Sequence, residues 1–332
     1  MLKQILNKKH VNPFFKYSIK YSIILFAMIL IILTSMFIKP INSQAAGFPK
    51  TMYYWQNFSL RDYNQDFSLM RANGYNQVYF NMEFFLNPYL DKQNTFNILT
   101  NFAKAAAANK VSIVGLMGNR DWANNDKNEI IYRALEFIKE YNAQSYYVNS
   151  IRGLHLNIEF YLQSGFLANK NFFTQQYVSF FDDLAFEIKN YQKIDPDFEL
   201  SATLPHFSDT TDFIPSITYC GGIAPLFTHV ARTFNNLPNS VLTIMAYRNT
   251  ITGPNSVYDL IEEELVEADK LFPQLKIGVA LETVPEESFV TFYGRSKVEL
   301  ESAIVALHNK LNGGRNYRNI VVHDIVGYTA LK

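Results

Sequence analysis

IRGLHLNIEF, residues 151–160, alternates Leu154, Leu156 and Ile158 with His155, Asn157 and Glu159. Successive side chains of a strand point to opposite faces, so one face of this run is apolar and the other is a polar ladder ending in a carboxylate. Seven more runs rich in Val, Ile, Tyr and Phe share its length: TMYYWQNF (51–58), YNQVYFNMEF (75–84), KVSIVGLMG (110–118), FELSATLPHF (198–207), SVLTIMAYR (240–248), KIGVALETV (276–284) and NIVVHDIVGY (319–328). Between them lie segments of helical period such as 96–110, 128–141, 256–272 and 296–311. Strands that alternate with helices form a parallel sheet covered by those helices, and eight repeats in this length predict a single (β/α)₈ TIM barrel over residues 47–332. No Pro/Gly/Ser-rich linker divides it. Segments 161–170 and 207–219 read as loops on the C-terminal face, where barrels of this kind build their sites.

The first 46 residues differ in kind. Residues 1–20 carry five Lys and no acid, and YSIILFAMILIILTSMFI (21–38) is almost wholly apolar. This predicts a signal peptide, with Ser43, Ala45 and Ala46 at a cleavage site, or an uncleaved membrane anchor. Either way the domain is expected to be exported: secreted, periplasmic or anchored outside the cytoplasm, touching the membrane only through this segment. The chain balances 30 basic against 30 acidic residues, but six of the Lys lie in residues 1–45, leaving 24 against 30 and a mildly acidic domain. A nucleic-acid partner is not expected of such a domain, and a monomer is. Cys220 is the single cysteine, which excludes an intrachain disulfide and reads as a buried, inert thiol.

If the apolar face of 151–160 meets helices, His155, Asn157 and Glu159 look into the barrel. Barrel interiors are usually filled by branched apolar side chains, so a polar ladder there points to a site. The second run repeats the pattern with Gln77, Tyr79, Asn81 and Glu83, the seventh ends in Glu282, the sixth in Tyr247 and Arg248, the fifth in His206, and the eighth in His323 beside Asp324. Trp55 and Tyr247 at the mouth would offer stacking faces for sugar rings. The structural alternatives are a buried carboxylate paired with Arg or His for Glu159, an ion pair to Arg248 or Arg295 for Glu282, and a hydrogen-bonded interior histidine for His155. No HExxH, CxxC, phosphate-loop or nucleophile-elbow pattern occurs, and the six His are scattered, so neither metal nor cofactor is expected. Two carboxylates amid aromatic and amide neighbours best fit glycoside hydrolysis.

RGLHLNIE (152–159) resembles the D-G-x-D-x-D-x-E signature of chitinase-like (family 18) glycoside hydrolases, and MAYR (245–248) is similar to that family's Met-x-Tyr-Asp. The resemblance implies Glu159 as general acid and Tyr247 as a ligand of the substrate. Arg152, His155 and Asn157 stand where the signature has Asp, and Arg248 stands where an Asp follows the Tyr. GLHLNIEFY, VLTIMAYRNT, IGVALETV, SFVTFYG and IVVHDIVGY together also resemble a group of exported bacterial barrel proteins, which implies that Glu159, Tyr247, Arg248, Glu282 and His323 share one site.

The expected function is therefore an exported glycoside hydrolase acting on a polysaccharide or glycan. Glu159, Glu282 and Tyr247 are its catalytic candidates. Trp55, Asn81, Glu83, Asn157, His206, Arg248 and His323 are its substrate-binding candidates. Asn157 and His155 are expected to orient Glu159 from below, and Arg248 and Tyr247 to hydrogen-bond Glu282 or the substrate. The alternatives are a non-catalytic carbohydrate-binding barrel and a metal-assisted hydrolase of another bond.

Overall fold

The computed structural model describes residues 48–57 and 60–332; the expected signal or anchor segment lies outside them. Among the described residues no helix is long and apolar enough to cross a membrane. Eight parallel strands, β1 (Lys50–Tyr54), β2 (Gln77–Asn81), β3 (Ser112–Met117), β4 (Ile151–Leu156), β5 (Glu199–Pro205), β6 (Ser240–Met245), β7 (Lys276–Glu282) and β8 (Tyr317–His323), close into a barrel in that order. β1 pairs with β8, Met52 opposite Val322, and so leaves no open edge. Each strand is followed by a helix: α1 (Tyr63–Ala72), α2 (Lys92–Ala108), α3 (Glu129–Gln144), α4 (Lys170–Tyr191), α5 (Leu226–Asn235), α6 (Glu262–Leu271), α7 (Lys297–Leu311) and α8 (Ile325–Ala330). The (β/α)₈ barrel read from the alternation is the fold that forms.

Where boundaries differ, local chemistry explains it. The run 319–328 was expected as one strand, but Asp324 accepts hydrogen bonds from Val326 N and Gly327 N and so caps α8, which ends β8 at His323. α2 begins earlier than its apolar period because Asp91 caps it through Asn94 N. The loop after β5 holds an unexpected small hairpin, Ile217–Tyr219 against Gly222–Ala224. Its turn places Cys220 at φ +48° and exposes it, correcting the expectation of a buried thiol.

The outward faces of the strands pack on the helices in one large core that includes Leu154, Leu156 and Ile158. Inside the barrel a smaller apolar cluster of Tyr53, Tyr79, Val114, Leu116, Ala280 and Val321 is layered with polar groups. At the floor, Asn319 Nδ2 donates to Thr51 Oγ1 at 2.6 Å and Thr51 donates to Gln77 at 2.9 Å. Tyr79 and Gln77 reach Glu199, whose carboxyl burial pushes above its usual range. One layer up, His155 is fully buried between Tyr53 Oη at 2.6 Å and Ser201 Oγ at 2.9 Å, and its ring stacks on Tyr79 at 3.9 Å. Burial drives its pKa down to about 3, so the ring is neutral, with one nitrogen donating and the other accepting.

Gly153 makes this packing possible where the β3–β4 register shifts. A Cβ there would lie 2.4 Å from the Glu199 carbonyl oxygen and 2.7 Å from its Cβ. Backbone cannot yield as a side-chain tip can. Gly153→Ala is expected to destabilise the barrel by about 1–3 kcal/mol, the usual cost of overpacking, read as a lower urea midpoint at unchanged slope. An unchanged midpoint would contradict the packing just described.

Candidate active site

β4 ends at Leu156, and Asn157 N donates to Met117 O at 2.9 Å, holding the next residue against β3. Asn157 turns its side chain toward β5 and pairs with Thr203 Oγ1. At Glu159 the chain enters a 3₁₀ turn, Phe160–Leu162, which brings Tyr161 back so that its hydroxyl donates to Glu159 Oε2 at 2.7 Å. The expected support of Glu159 by His155 and Asn157 is therefore corrected. Those two side chains are committed to Ser201, Tyr53 and Thr203, and the tight turn makes Tyr161 the partner. A cavity of about 320 Å³ opens beside Glu159, lined by Gly118, Asn119, Arg120, Asn157 and Leu162.

Glu282 is the last residue of β7 and only 3% exposed. Its Oε1 accepts from Thr283 N at 2.7 Å and Val284 N at 2.8 Å, and His323 Nδ1 lies 3.0 Å from Oε2. With the carboxyl accepting throughout, Nδ1 is assigned the proton. Burial works against charge on His323, but the hydrogen bond and charge of Glu282, then the charges of Asp324 and Glu159, outweigh it and raise its pKa above the ordinary value. The structural alternative for Glu282, an ion pair to Arg248 or Arg295, does not form among the described residues. Arg295 contacts Glu299, while Arg248 clamps Asn255 Oδ1 through Nε and Nη2 at 3.1 and 2.8 Å and reaches Tyr247 O at 2.7 Å through Nη1. His323 fills the place because it stands directly opposite Glu282 in the β7–β8 register.

Tyr247 links the two sides. Its hydroxyl is held far above the usual range first by burial, then by the charges of Glu282 and Glu159, with Tyr161 and Asp324 adding to them. The same carboxylates therefore act on one phenol and one imidazole. The rings of Tyr247 and His323 lie 6.2 Å apart, Trp55 lies 6.4 Å from His323, and Trp55 stacks parallel to Tyr53 at 6.1 Å. Trp55 rests on Gly118, where a Cβ would come within 2.4 Å of the indole, and its Nε1 is buried without a partner among the described residues.

The remaining candidates are placed differently. Asn81 donates to Trp55 O at 3.1 Å and accepts from Glu83 N at 2.8 Å, so it ties strand ends together. Glu83 is exposed on a short 3₁₀ turn, and partial desolvation alone raises its carboxyl, with no charge of the mouth acting on it. His206 faces Arg248; burial and then that guanidinium lower its pKa, opposed by a hydrogen bond to the Met245 backbone. Glu159, Tyr247, Glu282, His323 and Trp55 are thus brought together, with Arg248 and His206 at the rim, Asn157 beneath and Glu83 apart. Tyr161, Thr203 and Arg120 were not singled out from sequence. Only Tyr161, two residues beyond Glu159, carried a local signal. Among the described residues no group of three or more His, Cys, Asp or Glu side chains is placed to hold a metal ion.

No protein-family model matches the sequence, and no curated protein matches it significantly. Solved structures do. A family 18 chitinase double mutant from Cycas revoluta in complex with (GlcNAc)4 superposes with a TM-score of 0.52 at 12% identity, covering 84% of this chain and 95% of that one. The chain has the fold of the family 18 chitinases. A plant class V chitinase mutant from the same organism, in complex with (GlcNAc)3, gives 0.52 at 12% identity over 85% and 96% of the two chains. The spore cortex-lytic enzyme SleL of Bacillus megaterium QM B1551 gives 0.50 at 13% identity over 84% and 70%. The resemblance read from residues 152–159 and 245–248 thus falls on a barrel of the chitinase type.

Behind the rim, Glu264 of α6 is fully buried and neither carboxyl oxygen has a partner among the described residues. Burial first, then the charge of Asp209 from the loop after β5 and those of Glu263 and Glu267 on its own helix, push its pKa up to about 9; Asp209 is pushed up to about 6. A carboxyl with a raised folded pKa binds its proton more tightly in the native state, so native stability falls as pH rises from the unfolded value near 4.5 toward 9. Thermal midpoints are expected to drop between about pH 5 and pH 8.5, and Glu264→Gln to flatten that slope. A slope unchanged in the variant would assign the dependence elsewhere.

Proposed function

We propose that the chain is an exported glycoside hydrolase in which Glu159 is the general acid and Glu282 the second carboxylate. The observation that carries this reading is that Glu159, on the turn just after β4, and Glu282, the last residue of β7, both act by charge on Tyr247 and His323, with His323 Nδ1 3.0 Å from Glu282 and its ring 6.2 Å from that of Tyr247. Hydrolysis of a glycosidic bond needs a proton for the leaving oxygen and a second carboxylate to attack or to activate water. Glu159 borders the open cavity, where it can reach a glycosidic oxygen, and Tyr161 fixes its orientation. Glu282 accepts two backbone N–H bonds and faces His323, an arrangement that fixes its carboxyl group for the role of base or nucleophile. Trp55 and Tyr247 supply aromatic faces to sugar rings. Substrate assistance by an acetamido group is not part of the reading, because Asn157 is neutral and bound to Thr203. Export rests on the basic and apolar order of residues 1–38.

A second reading, a carbohydrate-binding barrel without turnover, is favoured by one observation. Glu282 is nearly covered, and every partner it has is already a donor from the protein. Release of reducing ends from a panel of glycans separates the two. Glu159→Gln keeps shape but cannot deliver a proton, and is expected to lower turnover about 10²–10⁴-fold with unchanged circular dichroism. Glu282→Gln is expected to do likewise. Full turnover in the Glu159 variant removes it from the mechanism, while glycan binding without turnover in any form establishes the binding barrel.

A further inference from the structure

Eight ion pairs join Lys or Arg to Asp or Glu among the described residues, engaging Lys50, Arg61, Lys92, Lys127, Lys139, Arg152, Arg295 and Arg315. Many other cations make no carboxylate contact among the described residues, but three of them, Arg120, Lys170 and Arg248, follow β3, β4 and β6 and so stand around the mouth. Arg120 lines the Glu159 cavity and spends one N–H on Leu162 O at 3.1 Å. Lys170, at the start of α4, sits 5.0 Å over the ring of Phe213, which packs against Tyr161, the partner of Glu159. Arg248 is held on Asn255 and Tyr247 O, with its guanidinium 5.3 Å over Phe289; Glu287 acts on it from beyond contact distance. For Arg248 the ring beneath it and the hydrogen bonds along one edge hold the charged head in place, which prepares it to receive an anion, while Arg120 and Lys170 are each held by one such contact.

These cations do not neutralise the carboxylates beside them. Glu282 faces His323, Asp324 caps α8, and Glu159 takes its hydrogen bond from Tyr161. Three positive charges around the mouth of an otherwise acidic domain favour a ligand that carries negative charge over a neutral one. We propose that the site takes a carboxylate-bearing glycan, whose acidic groups are met by Arg120, Lys170 and Arg248 around the two-carboxylate mouth. The inference rests on the glycoside reading above and names its substrate class. The carboxylate can belong to a uronic acid or to a lactyl ether on an amino sugar, and both present the same planar anion to a guanidinium.

The test is binding to the full chain carrying Glu159→Gln, in mild detergent, followed by intrinsic tryptophan fluorescence and checked by calorimetry. Three probes of equal length are compared: a uronic acid oligomer, a glycan strand containing lactyl ethers, and a neutral chito-oligosaccharide. At low salt, about 50 mM, at least one acidic probe is expected to bind about tenfold tighter than the neutral one, and the gap to narrow near 0.5 M. Whichever acidic probe wins identifies the source of the carboxylate. The double substitution Arg120→Gln/Arg248→Gln is expected to shrink the ratio of acidic to neutral affinity several-fold. Equal or better binding of the neutral probe at both salts, or a ratio that survives the double substitution, overturns the inference. If the wild type also cleaves the neutral glycan without preference, the hydrolase reading stands and only the acidic substrate class falls. If no probe of either kind binds, both fall together.

Discussion

A closed ring of strands gives its inner side chains neither water nor a free edge, so every polar group pointing inward must find its partner within the ring. His155 shows how that demand shapes the structure. Its two nitrogens are taken by Tyr53 and Ser201 and its face by Tyr79, which joins β1, β2, β4 and β5 through one neutral ring. Below it Thr51, Gln77, Asn319 and Glu199 form a second connected layer. With its polar groups paired, the interior can be hydrophilic and still closely packed.

Three exceptions remain, two at the floor and one at the mouth. Trp55 Nε1, Thr243 Oγ1 and Asn319 Oδ1 are buried inside or above the barrel without partners among the described residues. Of these only Trp55 stands among the two carboxylates, Tyr247 and His323. The site is also stiff on its β7–β8 side. Thr283 N and Oγ1 both reach His323 O, at 2.6 and 2.8 Å, while Glu282 meets the imidazole of the same residue. The two carboxylates therefore differ in setting: Glu159 is on a turn beside open space, and Glu282 is at a strand end braced by backbone donors.

The period-2 alternation made the barrel legible, because a slip of one residue would turn every polar group of β4 toward the helices. It also placed Glu282 and His323 at the inward ends of their strands and pointed to Glu159 and Tyr247 just beyond theirs. Partnerships were less legible. Which residue holds Glu159 depends on a 3₁₀ turn that no alternation encodes, and which residue faces Glu282 depends on the β7–β8 register. Charge alone favoured Arg248 for Glu282, yet Asn255 and Phe289 hold that side chain elsewhere. Arg120 stayed hidden because a loop arginine has no period. Cys220 was misplaced because composition reports how often cysteines are buried, whereas a positive φ at a hairpin turn decides this one.

That hairpin turn makes the protein convenient to watch. The loop after β5 carries His206, Phe207 and Phe213 toward the mouth, and the same loop presents the chain's sole thiol to solvent. A maleimide dye or nitroxide would therefore attach at one position without engineering. Its signal would report how that loop shifts and slows as a ligand settles, while the side chains at the barrel mouth remain chemically untouched.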